Sequence, residues 1–134
     1  MLNVEKIEKE GDILAIILKP SVPESVVEFV TPTEFSLQLG VHERKKGDYV
    51  KAHEHIPLNS NTKSPVQDII LMKKGKISVG LYYKNEFYKE IIISAGEVII
   101  ISTGHNVKFM EDTAMIEIKQ GPYRGREVEK KFLE

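Results

Sequence analysis

Apolar and polar residues alternate along most of this chain with a period of two, the pattern of strands whose two faces meet different surroundings. Phe35 to Arg44 shows it most cleanly, with Phe35, Leu37, Leu39 and Val41 on one face and Ser36, Gln38, Gly40 and His42 on the other. Similar runs predict strands at Ile13 to Leu18, Tyr49 to His55, Val66 to Lys73, Ile77 to Tyr83, Phe87 to Ile93, Val98 to Ile101, His105 to Met110 and Ala114 to Lys119. Gly47-Asp48, Lys74-Gly75, Lys84-Asn85-Glu86 and Ala95-Gly96 punctuate these runs as turns. Prolines at 20, 23 and 32 make that stretch a connection with an edge segment at Val26 to Val30, and Pro57 to Pro65 reads as a polar loop. Helix signals are almost absent. This many short strands predicts an all-β architecture, closed or double-sheeted, because such folds avoid long exposed edges.

The chain's 134 residues, 41% hydrophobic and 29% charged, suit one domain with a core of its own. Residues 1–134 are therefore expected to form a single domain. Only 122–134 changes composition, to dense alternating charge, as a tail that is mobile or packs across a mouth or a partner. A formal net charge of −1 lacks the basic surplus that drives binding to nucleic acid or anionic lipid. No cysteine means no disulfide framework, no thiolate metal site and no thiol nucleophile. The segment MLNVEKIEKEGD carries acids where a signal peptide carries a basic region, and no apolar run reaches membrane-spanning length, so a cytoplasmic protein is expected.

Candidate chemistry centres on histidine. In a strand, residues two apart share a face, so His53 and His55 can bind one ion together, whereas on a helix they would diverge. His105, after Gly104 on a distant strand, offers a third imidazole, and neutral imidazole is the commonest protein ligand for transition metals. The plainer alternatives are two surface histidines on a hydrophilic strand and a turn histidine after Gly104. Tyr49, Lys51, Gln38, Met72 and Gln120 fall on faces that can look into a cavity, and Tyr49 and Lys51 are the candidates for acid or base duty. His42 shares the face of Gln38 and Arg44 and reads more readily as a structural or surface histidine. Glu54 should point away from its neighbours. Arg124, Arg126, Lys130 and Lys131 can guide an anionic ligand, although Glu127 and Glu129 among them favour a solvated tail.

The run Gly47-Asp48-Tyr49-Val50-Lys51-Ala52-His53-Glu54-His55 resembles the first motif of the cupin superfamily, in which a glycine is followed after five residues by His-x-His. That motif continues with an acidic ligand, six residues and a glycine, a spacing met here by Asp68, Ile69 to Lys74 and Gly75. Gly96, Val98 to Ile101 and Ser102-Thr103-Gly104-His105 resemble the second motif. Asp68 stands where the family usually has glutamate, Ser102 replaces the usual proline, and His105 follows Gly104 directly instead of after a gap. Gln67 is the rival of Asp68, since alternation lets only one of them point inward and a carboxylate suits a divalent cation better. The likeness covers residues 35–118. The segment Glu117-Ile118-Lys119-Gln120-Gly121-Pro122-Tyr123 is similar to the ending of a narrower cupin group without a settled activity.

The resemblance implies a double-stranded β-helix, or jelly-roll barrel, with His53, His55, Asp68 and His105 holding a divalent transition metal. Iron, nickel, zinc, manganese and copper all suit such ligands. It also implies a homodimer built by strand exchange or sheet contact, with Ile13 to Leu18 as a plausible exchanged strand. Three readings stand: a metalloenzyme acting on a small polar metabolite such as a carbohydrate or carboxylic acid, a non-catalytic metal or ligand-binding module, and a metal-free sugar-processing cupin with a histidine base.

Overall fold

The computed structural model describes residues 3–19, 26–56, 66–123 and 130–134. Among them the chain forms twelve strands and no helix: β1 (Asn3–Lys9), β2 (Asp12–Lys19), β3 (Val26–Phe29), β4 (Leu37–Arg44), β5 (Tyr49–His55), β6 (Asp68–Lys74), β7 (Lys76–Tyr83), β8 (Glu86–Ser94), β9 (Val98–Ile101), β10 (His105–Phe109), β11 (Thr113–Gln120) and β12 (Lys130–Phe132). The predicted strands are all present, with ends moved by a residue or two. The all-β, jelly-roll expectation holds: from β4 onward the chain crosses between two five-stranded antiparallel sheets, β3-β4-β11-β6-β9 and β12-β5-β10-β7-β8. The loop 57–65, the connection 20–25 and Arg124, Arg126, Glu127 and Glu129 of the tail lie outside the described residues.

The turns follow their residue chemistry. Lys84 and Asn85 both have positive φ, 49° and 68°, which makes the two-residue β7–β8 connection a type I′ turn whose twist suits a hairpin. Gly75 has a φ of 90°, and a Cβ there would lie 2.5 Å from the Asp112 carbonyl oxygen, so only glycine fits between β6 and β7.

Two strands were not legible. β1 is mostly charged and gains its ladder from β2, with which it forms a separate two-stranded hairpin. The segment Ile13 to Leu18, expected as a strand for exchange, is thus already paired along one edge within its own chain. β12 lies in the charged tail and pairs with the edge of β5, Lys130 opposite His55 and Phe132 opposite His53. Its local sequence carries no strand pattern; the open ladder of β5 supplies the hydrogen bonds.

The sheets meet over a core of Ile70, Met72, Ile77, Val79, Ile101, Val107, Phe109 and Met115. Each contributing strand changes character along its length. Inward positions run from Met72 through Ile70 to Asp68 on β6, from Met115 through Glu117 to Lys119 on β11, and from Phe109 through Val107 to His105 on β10. One end of the interior is therefore hydrocarbon and the other polar.

A candidate metal centre

β5 builds most of the polar end, and it does so with a defect in its ladder. His105 pairs with His53 and Val107 with Val50, so two steps along β10 match three along β5. This extra residue is a β-bulge, which inserts one position and exchanges the faces on either side of it. Val50 packs on the core, while past the bulge His53 and His55 turn inward. His105 enters from the neighbouring strand. Gly104 permits this approach, because a Cβ on it would stand 2.5 Å from Leu133 and 3.3 Å from the His53 carbonyl oxygen.

The three imidazoles converge. Ring centroids are separated by 5.0 Å for His53 and His55, 4.8 Å for His53 and His105 and 5.8 Å for His55 and His105. One nitrogen from each lies within 4.8 Å of the other two. His53 Nδ1 donates to the Lys51 carbonyl oxygen and His105 Nδ1 to the Thr103 carbonyl oxygen, both at 2.8 Å. With the proton held on Nδ1, each ring presents a bare Nε2 lone pair, the form that ligates metal. Burial lowers the pKa of His53 to about 4 and of His55 to about 3, and it lowers that of His105, so all three are neutral at pH 7.

Asp68 lies beside this trio, against His55. Its side chain is buried and Gln67 is exposed, so alternation sends the carboxylate inward and the amide out. Asp68 Oδ2 stands 3.7 Å from His55 Nε2, and both His55 Nε2 and Asp68 Oδ1 are buried without a hydrogen-bond partner. Two orphaned polar atoms at one point cost several kcal/mol together, about 1–3 each, unless something binds there. A divalent cation satisfies lone pairs of this kind, and a donor set of nitrogen and carboxylate oxygen without sulfur fits a borderline first-row ion.

Behind Asp68 is a chain that the sequence did not disclose. Burial, reinforced by the charge and hydrogen bond of Glu117, raises the Asp68 pKa well above its ordinary value. Burial pushes Glu117 up too, but its hydrogen bonds with Asp68 and His42 outweigh this, and it stays ionised. His42 Nε2 lies 2.8 Å from Glu117 Oε1. The row Asp68–Glu117–His42 thus spans β6, β11 and β4, one residue per strand.

Solved structures share this architecture. An RmlC-like cupin protein from Desulfovibrio desulfuricans matches with a TM-score of 0.52 at 18% identity, over 74% of this chain and 83% of its own. A cupin-2 domain protein from Shewanella frigidimarina matches at 0.51 and 14% identity, over 71% and 79% respectively. The fold is that of the cupins. A double-stranded β-helix protein from Klebsiella pneumoniae matches at 0.57 and 16% identity, over 80% of both chains. Oxalate decarboxylase from Bacillus subtilis also matches, at 0.58 and 12% identity over 73% of this chain, which spans 24% of that larger one. No protein-family model matches the sequence, and no curated relative does.

Within this cupin fold the remaining candidates scatter. Tyr49 and Lys51, expected beside the histidines by simple alternation, are not brought to them. Tyr49 precedes the bulge and Lys51 lies within it, and Tyr49 pairs with the exposed Lys108 on the face opposite Val50. Tyr49 is 45% exposed; its hydroxyl donates to Glu134 Oε1 and accepts from Asn106 Nδ2 at 3.1 Å. Lys51 is exposed, with Nζ 5.3 Å from the Phe132 ring centre. Met72 belongs to the core, Gln120 is exposed and accepts from the Gln67 amide, and Glu54 is half-buried. Gln38 faces inward and is fully buried, as are His42 and Lys119. A signal for the missed Glu117 does exist in the sequence: Glu117 and Lys119 alternate with Ile116 and Ile118 just as Gln38 and His42 alternate with Leu39 and Val41. Pairing of β4 with β11 puts the two polar sets on one face.

Proposed function

We infer that this cupin-fold chain binds a divalent transition metal through His53, His55, His105 and Asp68 and holds a small polar molecule beside it. The observation that carries the reading is the convergence of neutral, tautomer-fixed imidazoles on a point where His55 Nε2 and Asp68 Oδ1 are buried and unpartnered. These residues would hold the ion, which when bound would supply Lewis-acid or redox chemistry beside them. The protein's own part is to keep the imidazoles deprotonated by burial and to hold Asp68 through Glu117, which His42 anchors in turn. The decarboxylase among its structural neighbours supplies no reaction for this chain, because one fold carries many chemistries.

Elemental analysis of tag-free protein, beside a folded His53→Ala, His105→Ala double variant, tests the reading. Near-stoichiometric metal in the parent and none in the variant is expected; no metal in the parent after reconstitution with iron(II), nickel or zinc would overturn it.

The reading extends to a homodimer in the cytoplasm. The outer face of the β3-β4-β11-β6-β9 sheet is aliphatic in consecutive rows, Leu39-Ile118-Ile69-Ile100 and Val41-Ile116-Leu71-Val98. Val98 and Ile100 are 59% and 58% exposed at one end of these rows, and a contiguous exposed aliphatic face is the kind of surface that a second copy covers. Sedimentation at micromolar concentration should give twice the chain mass. Among the described residues no helix is long and apolar enough to cross a membrane.

A further inference from the structure

β5 carries two of the candidate ligands, and its neighbours support them unequally. On the β10 side the ladder joins Tyr49 to Lys108, Val50 to Val107 and His53 to His105, and goes no further. His55 lies beyond the last of these pairs. Among the described residues the strand that ladders with it is β12, which sets Lys130 opposite His55, Lys131 opposite Glu54 and Phe132 opposite His53. His53 is thus paired on both sides and His55 on one. A strand end without ladder partners frays, because its backbone groups can exchange a protein partner for water.

β12 is only three residues long, and a ladder that short is weak by itself. The two residues after it fasten it. The Leu133 amide donates to the Ala52 carbonyl oxygen at 3.0 Å, and the Leu133 side chain lies so close over Gly104 that a Cβ there would stand 2.5 Å from it. Glu134 Oε1 accepts from the Ala52 amide at 2.7 Å and from the Tyr49 hydroxyl. Tyr49 is held in turn by Asn106 Nδ2 at 3.1 Å, and Asn106 Oδ1 accepts from the Gly80 amide at 2.9 Å. The bonds from Tyr49 and Ala52 keep the Glu134 carboxyl below its ordinary range, so both are charge-assisted at pH 7. Leu133 and Glu134 therefore engage both backbone groups of Ala52, the residue immediately before His53.

We propose that residues 130–134 are a clasp that positions His55 for the metal, and that metal affinity depends on it. The other donors have supports of their own. Asp68 is laddered on both sides, to Lys119 and to Ile101, and the rings of His53 and His105 are anchored through Nδ1 to backbone carbonyls. His55 is the ligand whose strand pairing comes from the clasp, and opening the clasp removes one imidazole from the set while leaving the barrel intact. The Ala52 bonds lie beside the ligands and carry most of the effect; the Tyr49 bond adds to them from the outer face.

The clasp presupposes the metal-binding reading, so the test separates the two. A full-length Leu133→Ala, Glu134→Ala variant and a chain lacking residues 130–134 are compared with the parent, each with and without His55→Ala, and cobalt(II) affinity is read by chelator competition. Both clasp variants should bind about tenfold more weakly or worse, the loss typical of removing a group that orients a ligand. In the His55→Ala background the same changes should cost nothing further, because the ligand they act through is gone. Glu134→Gln, which keeps an oxygen acceptor, should stay within about threefold of the parent. In metal-free protein the amides of residues 53–56 should exchange faster in the clasp variants, with those of β7 unchanged. Unchanged affinity in the clasp variants, or an equal loss with and without His55, would overturn the clasp and leave the metal reading standing. Faster exchange spread over the whole barrel would overturn it too, and that measurement decides the matter if the His55→Ala chain binds no cobalt. A parent that binds no metal would overturn both.

Discussion

The two ends of the barrel interior are made from the same strands and obey opposite rules. At the apolar end, Ile77 and Val79 of β7 are fully buried against Val107, Phe109 and Met115, and every contact is dispersion and excluded water. A few residues along the same strands, His105 and Asp68 are buried almost as deeply and Glu117 partly so, but they carry lone pairs and charge, with Asp68 Oδ1 and the neighbouring His55 Nε2 without partners. Burial at the first end is favourable, at the second costly. The comparison teaches that the polar end is held in place by the apolar one, whose favourable burial offsets its cost.

The largest expected effect lies at the apolar end. Ile77→Ala should lower unfolding stability by about 2–5 kcal/mol in chemical denaturation, by lost burial and the cavity left behind, while metal per folded molecule stays constant. A loss of metal in proportion would show that the two ends are not separable.

Acid should act on the other end alone. The histidines have folded pKa values of about 4 for His53 and about 3 for His55 against an ordinary 6.5, so below pH 6.5 the unfolded chain takes up protons that the folded chain refuses. Their contribution to metal-free stability is present in full above 6.5 and is lost as pH falls toward 4 and then 3. Thermal melts across that window should show a steady decline in the parent and a flatter one in the folded His53→Ala, His105→Ala variant. Protons compete for the folded His53 and His55 imidazoles only near and below 4, so any loss of metal affinity between pH 7.5 and 5 should come from Asp68, whose pKa is raised by burial and by Glu117, and should be flattened in a folded Asp68→Asn variant.

Glu117→Gln sharpens the comparison within the polar end. It should weaken metal binding roughly tenfold, read by competition with a coloured chelator, because Asp68 loses the partner that orients it. An unchanged affinity would make Glu117 a packing residue. Tyr49→Phe should have the smallest effect, under about 1 kcal/mol on stability and none on metal content, since the Tyr49 hydroxyl serves the outer face with Glu134 and Asn106.

Much of this arrangement was legible in the chain. His53 and His55 announce themselves by spacing, Asp68 wins over Gln67 by parity, and the strand ends follow from turn residues such as Gly75 and Asn85. Glu117 and His42 were not, because a strand with apolar residues on one parity and polar residues on the other does not say which parity faces in. Ile116 and Ile118 would ordinarily be taken as the buried set; here they lie on the outer face and Glu117 lies within. Tyr49 and Lys51 were misplaced for a different reason. A β-bulge is a mismatch between two strands, so it leaves no mark on either one read alone.

The sequence by itself determined the periodicity, the turns, the strand class and the histidine pair, all of which depend on residues within a few positions of one another. Only the tertiary structure decided which face of β4 and β11 became the interior, where β5 bulges, that the charged segment Lys130–Phe132 closes an edge as a strand, and that lysines far apart in the chain stand opposite Asp68 and His55. The physical reason is one of range. Local propensity fixes φ, ψ and period, whereas inside and outside exist only once distant strands have paired and water has been excluded between them.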